Sequence, residues 1–261
     1  MSTAHLACLD GTVLPAAEAT IPATDDGVLR GDGVFEVVRL YGGRPFALPD
    51  HLERLERSAL NLRLDLDLDA IHNDIATLLT AAGTGPEHGM LRIVVTRGGR
   101  RLLMTESLPD NAAEIRLGSV TYAPVRLLDG IKSLSYAPNM LASRLARERG
   151  FGEALLVTPH GRVLEAPTST LFWARGGELQ TTPLEDHVLA SITRARVIEL
   201  TGAQERAITL EELKRADEAF LASTTREVQP VVAVDDVELA AGPITSDVAA
   251  RLHQRILSEL A

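Results

Sequence analysis

Short apolar runs, Leu6-Ala7-Cys8-Leu9 and Thr12-Val13-Leu14, flank Asp10-Gly11, the pattern of a hairpin closed by a two-residue turn. Val34 to Leu40 predicts a strand that stops at Gly42-Gly43. Apolar residues then recur at helical spacing at Leu52, Leu55, Ala59 and Leu62, and Asp50 followed by Glu53 predicts the N-cap and capping box of that helix. A second helix is expected from Asp69 to Ala82, ended by Gly83. Leu91–Thr96 and Ile115–Tyr122 predict strands around a polar stretch, 97–111, read as a loop near a domain junction. Pro138 suits the first turn of a helix carrying Leu141 and Leu145 and stopping at Gly150. Further on, strand-like runs come at 154–157, 162–165, 171–174, 179–181, 219–222 and 228–234, separated by turn residues. Between them a helix opens near Ser191-Ile192-Thr193 and ends before Gly202. A last amphipathic helix from Ser246 carries Val248, Leu252, Ile256 and Leu260 near one face. The mixture predicts an α+β chain of two lobes, 1–113 and 114–261, with a cleft between them.

Composition narrows the classes. A length of 261 residues is enough for two real cores, and a net charge of −10 disfavours nucleic acid and anionic membrane as partners. No apolar run reaches the length of a membrane span, and no basic region followed by an apolar stretch opens the chain, so a cytoplasmic protein is expected. Cys8 is the only cysteine and sits in an apolar run, where a buried thiol is the simplest reading. The 7 histidines show no ligand spacing, so no metal is expected. Arg30-Gly31-Asp32 and the pair Gly98-Gly99 match no site that their context supports.

The lysine count points to chemistry. Of 26 basic residues only Lys132 and Lys214 are lysines; arginine serves everywhere else. What arginine cannot supply is a primary amine that loses its proton and attacks a carbonyl. Lys214 lies in a charged helical pattern, Leu210 to Ala216, and reads as solvated, whereas Lys132 lies in Gly130-Ile131-Lys132-Ser133-Leu134-Ser135-Tyr136, with no charge nearby after Asp129. Glu165 ends an otherwise apolar run, where a carboxylate needs a partner. Ser191-Ile192-Thr193 and Ser223-Thr224-Thr225 offer hydroxyl and amide donors, and Arg54 offers a cation. An amine, a carboxylate and a phosphate cradle are what pyridoxal 5′-phosphate (PLP) requires of a protein.

With those residues in view, six segments in order resemble the class IV (fold-type IV) PLP enzymes, the group of D-amino-acid and branched-chain aminotransferases, (R)-amine transaminases and aminodeoxychorismate lyases. They are GDGVFEVVRLYGG (31–43), FALPDHLERLERSALNLRL (46–64), KSLSYAPNMLA (132–142), EALLVTPHGRVLEAPTSTLFW (153–173), LQTTPLEDHVLASITR (179–194) and AFLASTTREVQPV (219–231). The resemblance implies a small N-terminal α/β lobe, a larger C-terminal PLP lobe with a mostly antiparallel, barrel-like sheet, and a homodimer. It implies that Lys132 forms the Schiff base and shuttles the proton, and that Glu165 faces the pyridine nitrogen. Arg54, Ile192, Thr193 and Thr224 would form the phosphate cup, Ser223 would adjoin it, and Tyr136 would lie near the phenolic oxygen. Where family members often have Asn, this chain has Ser135 and Thr170, and Ser191 replaces a frequent Gly.

Within the family, Val37 leans toward transamination, because lyase-like members frequently have Thr there. D-amino-acid aminotransferases hold the substrate carboxylate with an Arg-x-His pair; here the loop reads Arg97-Gly98-Gly99-Arg100-Arg101, with arginines but no histidine. Arg97, Arg100, Val37 and Thr225 are therefore the expected substrate contacts, with Arg101 and Arg226 nearby in sequence. The expectation is an aminotransferase moving an amino group between an amino acid or amine and a 2-oxo acid, the alternative being an aminodeoxychorismate lyase.

Overall fold

The computed structural model describes residues 5–85 and 88–261. Its contacts divide the chain into two units: one takes in residues up to Asp110 together with Ile131–Tyr136, the other residues 111–130 and 137–259. A single boundary at 113 would have put the Lys132 segment in the second unit, yet this segment packs with the first.

The first unit contains β1 (Leu6–Leu9), β2 (Thr12–Pro15), α1 (Asp26–Arg30), β3 (Gly33–Tyr41), β4 (Arg44–Pro45), α2 (Leu48–Leu62), α3 (Leu68–Ala82), β5 (Met90–Thr96) and β6 (Arg101–Glu106). Its sheet runs β2-β1-β6-β5-β3-β4, all pairs antiparallel. Asp10 and Gly11 both have positive φ, 48° and 88°, as a tight turn matched to strand twist requires. Period-2 alternation sends Val34, Val38, Leu91, Ile93, Val95 and Leu103 to one face, where Leu52, Leu55, Ile71, Ile75 and Leu78 of the two long helices cover them.

Two expectations fail here. The α2 helix starts at Leu48, after Ala47 in a left-handed conformation, with no side-chain cap; Asp50 lies inside the first turn and makes no capping box. Pro49 in that turn lacks only an amide that has no helical partner anyway. The polar stretch 97–111 also holds a strand, β6, because only Leu103 and Thr105 need face the core while Leu102 and Met104 alternate outward.

The second unit contains β7 (Ile115–Thr121), α4 (Ala137–Glu148), β8 (Glu153–Val157), β9 (Thr170–Arg175), β10 (Glu178–Thr181), α5 (Ile192–Thr201), β11 (Gln204–Glu205), α6 (Leu210–Leu213), β12 (Glu218–Ser223), β13 (Glu227–Val234), β14 (Val237–Glu238) and α7 (Pro243–Leu260). Its sheet order is β11-β10-β9-β12-β13-β7-β8, with β14 on β13. The centre is antiparallel, whereas β10·β11, β13·β7 and β7·β8 are parallel. Strands β8, β9 and β12 are buried on both sides of the pleat, so they read as unbroken apolar runs.

Residues 162–165 form no strand. Val163 bridges Val157 and Arg162 bridges Thr209, so the segment changes partner before a ladder can build. The last helix begins at Pro243, three residues before the expected start, because the Glu218 carboxylate accepts from the amides of Ile244 (3.2 Å) and Thr245 (2.8 Å) and caps it. Lys214, expected to be solvated, is only 18% exposed and pairs with Asp235 at 3.4 Å and Asp236 at 3.5 Å. Among the described residues no helix is long and apolar enough to cross a membrane.

Candidate active site

Lys132 belongs to a short segment held by main-chain bonds. Its carbonyl accepts from Phe35 N (3.0 Å), Leu134 N donates to Gly33 O (2.9 Å), and Ser133 forms a bridge with Val34. The Lys132 amide donates to the Ser58 hydroxyl of α2 at 3.2 Å. Anchored this way to an edge of β3, the residue directs its Nζ to 4.4 Å from the centre of the Phe35 ring and 5.8 Å from that of Tyr136. The two rings meet edge to face at 5.3 Å. The amine therefore sits against aromatic faces, those of Phe35 and Tyr136.

Phe35 shares its sheet face with Val37, and Val37 pairs across the sheet with Arg92 of β5. The Arg92 guanidinium lies 6.0 Å from the Phe35 ring and donates to Glu106 at 2.9 Å. Sequence reasoning passed over Arg92, although a lone arginine inside Met90–Thr96 is a signal. It placed its candidates after the strand instead. There the structure finds Arg97 bound to Asp32 (3.0 and 3.2 Å), to Leu62 O (2.8 Å) and to Arg63 O. Arg100 pairs with Asp10 at 2.8 Å and Arg101 with Asp74 at 2.9 Å. Hydrogen bonding to Asp32 raises the Arg97 pKa further.

On the opposite, core-facing side of β3 lies a charged cluster. Helical spacing puts His51, Arg54 and Ser58 on one buried face of α2. Arg54, expected in the phosphate cup, is only 5% exposed, and its Nε and Nη2 each donate to the Glu36 carboxylate at 2.7 Å. His51 Nδ1 meets the same carboxylate at 2.7 Å. Burial pushes the Glu36 carboxyl up, but the Arg54 charge and hydrogen bonds, with that of His51, outweigh it and hold the pKa at about 2. Burial pushes the His51 imidazole down, and this outweighs the upward pull of Glu36. Glu36 could have been noticed as the one carboxylate in an apolar strand.

The second unit contains Glu165 and the start of α5. Glu165 follows the buried pair Val163-Leu164; its carbonyl accepts from Leu156 N (2.9 Å) and its Oε1 from Leu189 N (3.1 Å). Burial and then the Glu165 charge raise the Tyr122 phenol, which marks Tyr122 as a neighbour the sequence did not disclose. At the start of α5 the Ser191 hydroxyl accepts from Arg194 N (3.3 Å). Ile192 and Thr193 are buried, 8% and 7% exposed, and their amides have no acceptor among the described residues. Two buried amides without acceptors at the positive end of a helix suit an anion, so the residues present fit a phosphate group. Ser223 closes β12, pairs with Glu227 and accepts from Arg226 N; Thr224 and Thr225 form the turn between them. Arg226 is tied to Gln229 and to the buried Glu153 (3.1 Å), so it stiffens that turn.

Residues 33–234 match the family profile described as amino-transferase class IV. The chain belongs to the class IV aminotransferases. It is 30% identical to a D-alanine aminotransferase of Bacillus licheniformis over 97% of both chains. It is also similar to the crystal structure of a branched-chain aminotransferase from Thermoproteus uzoniensis with norvaline, at 30% identity and a TM-score of 0.89, covering 98% of this chain and 96% of that one. A putative 4-amino-4-deoxychorismate lyase from Legionella pneumophila aligns with a TM-score of 0.81 at 25% identity, over 91% of this chain and 96% of that one. Class IV aminotransferases are PLP-dependent enzymes that catalyse transamination, and the two-sheet α+β architecture is that of fold type IV.

Proposed function

We propose that this enzyme carries PLP on Lys132 and transfers an amino group between an amino acid and a 2-oxo acid. The observation that carries the reading is the placement of Lys132. Of the two lysines, Lys214 is bound into the Asp235–Asp236 carboxylates, whereas Lys132 is fixed by its main chain on β3 with its amine against Phe35 and Tyr136. Arg54, the amides of Ile192 and Thr193, and the hydroxyls of Ser223 and Thr224 would hold the phosphate. The Glu165 carboxylate would face the pyridine nitrogen and keep a proton there. Bound PLP supplies the electron sink that makes the substrate Cα–H acidic. The Lys132 Nζ would move the proton of the substrate carbon, general acid–base work by one group.

For the substrate carboxylate, the face bearing Phe35 and Val37 offers Arg92; Arg97 and Arg100 are the other candidates, each engaged with an aspartate, and Thr225 lies on the turn after β12. We further propose a cytoplasmic homodimer, on the strength of the family alone. The deciding experiment combines borohydride reduction of the PLP-loaded enzyme, with the adduct mapped by mass spectrometry, and a panel of amino donors against pyruvate and 2-oxoglutarate. The adduct should fall on the Lys132 peptide, and turnover should need both donor and acceptor. Pyruvate and p-aminobenzoate released from aminodeoxychorismate without an acceptor would instead establish the lyase.

A further inference from the structure

The cluster behind β3 does more than neutralise charge. Glu36 stands in a column of core residues, Val34, Val38 and Leu40, and is itself fully buried. Apolar side chains of similar volume would stabilise such a position as well as a buried ion pair does. What the ion pair adds is direction. The fork on Oε1 and Oε2, at 2.7 Å each, commits two of the three guanidinium nitrogens of Arg54 and fixes the plane of the group. His51 completes the arrangement. Neutral, with Nδ1 facing the carboxylate, it donates to Oε2, and its Nε2 has no partner among the described residues. Its single bond is thus spent on Glu36. The carboxylate also cancels the net charge of Arg54, so an anion meeting this arginine gains from hydrogen-bond direction more than from long-range attraction.

We propose that Glu36 and His51 are positioning residues that lock Arg54 in the orientation that meets a phosphate, and so make the enzyme select PLP over unphosphorylated pyridoxal. The inference rests on the reading of Arg54 as a phosphate ligand.

The test is the affinity of the apoenzyme for PLP and for pyridoxal, followed by absorbance. Because Glu36→Gln leaves a buried arginine short of its partner and risks misfolding, His51→Leu is the main variant and His51→Asn its conservative control. His51→Leu should weaken PLP about 10-fold, the size of one charge-assisted hydrogen bond, and change pyridoxal less than about 2-fold. His51→Asn, which keeps a donor near the Nδ1 position, should recover most of the loss. In an Arg54→Met background, His51→Leu should have no further effect. Equal losses for PLP and pyridoxal, or a full additional loss in the Arg54→Met background, would show a merely structural role and overturn the proposal. If Arg54→Met alone leaves PLP affinity unchanged, the reading of Arg54 as a phosphate ligand fails first, and this inference with it.

Discussion

On the proposed function, the two units would hold an anion by opposite means. In the first, one side chain would do it: Arg54 is held in place by Glu36, which His51 also contacts. In the second, the main chain would do it: the amides of Ile192 and Thr193 are aimed by α5 itself, carry no net charge and follow the Ser191 cap. A side-chain cation brings strength but must be buried, paired and oriented. Backbone donors come already oriented, and most substitutions cannot remove them.

Substitutions can separate these contributions. The largest effect belongs to neither region: Lys132→Ala should lower kcat at least about 1000-fold, the upper range of lost general acid–base catalysis, while PLP still co-elutes with the protein on gel filtration because both anion-holding regions survive. Arg54→Met comes next. It should cost about 100-fold in PLP affinity and about 3–5 kcal/mol of stability in urea melts, because Glu36 is left buried without its counter-charge.

That variant should also reverse the acid response. In the wild type, Glu36 has a pKa of about 2 against an ordinary 4.5, so its contribution, roughly 3 kcal/mol, is complete above about pH 5 and is lost as pH falls toward 2. Without Arg54, burial raises the carboxyl, the folded state binds the extra proton, and the variant should gain stability on mild acidification from pH 7 to 5 where the wild type does not.

Ile192→Pro removes a single amide at the first helical position, where proline is tolerated; PLP affinity should drop about 10-fold with the circular dichroism spectrum unchanged. Arg97→Met should be mildest. Its pair with Asp32 is about one-third exposed, so the loss should stay near 1 kcal/mol, seen as a small Tm shift. A rise in KM well beyond that would assign Arg97 to the substrate.

The family and the candidate residues were legible in the chain. Two lysines among many arginines singled out Lys132, and a carboxylate after an apolar run singled out Glu165. The α5 start could be read because Ser191 and Gly202 punctuate it. What escaped was set by packing across long sequence distances. Glu36 and His51 gain their meaning from each other, 15 residues apart on a strand and a helix, and no local pattern announces that they meet. The strand β6 was hidden because only two positions, one of them Thr105, face the core, and the run lies within a polar stretch. The α7 start was hidden because its cap, Glu218, lies 27 residues upstream of Thr245.

The Lys132 segment has a consequence for anyone who would divide this enzyme. Severing the peptide anywhere between 110 and 131 would leave the Lys132 amine on one fragment and the strand that seats it, through Gly33 and Phe35, on the other. Neither half expressed alone would hold both Lys132 and its seat. Co-expressed halves would regain a seated amine only where residues 131–136 zip back onto β3, which makes those six residues the natural reporter of fragment complementation.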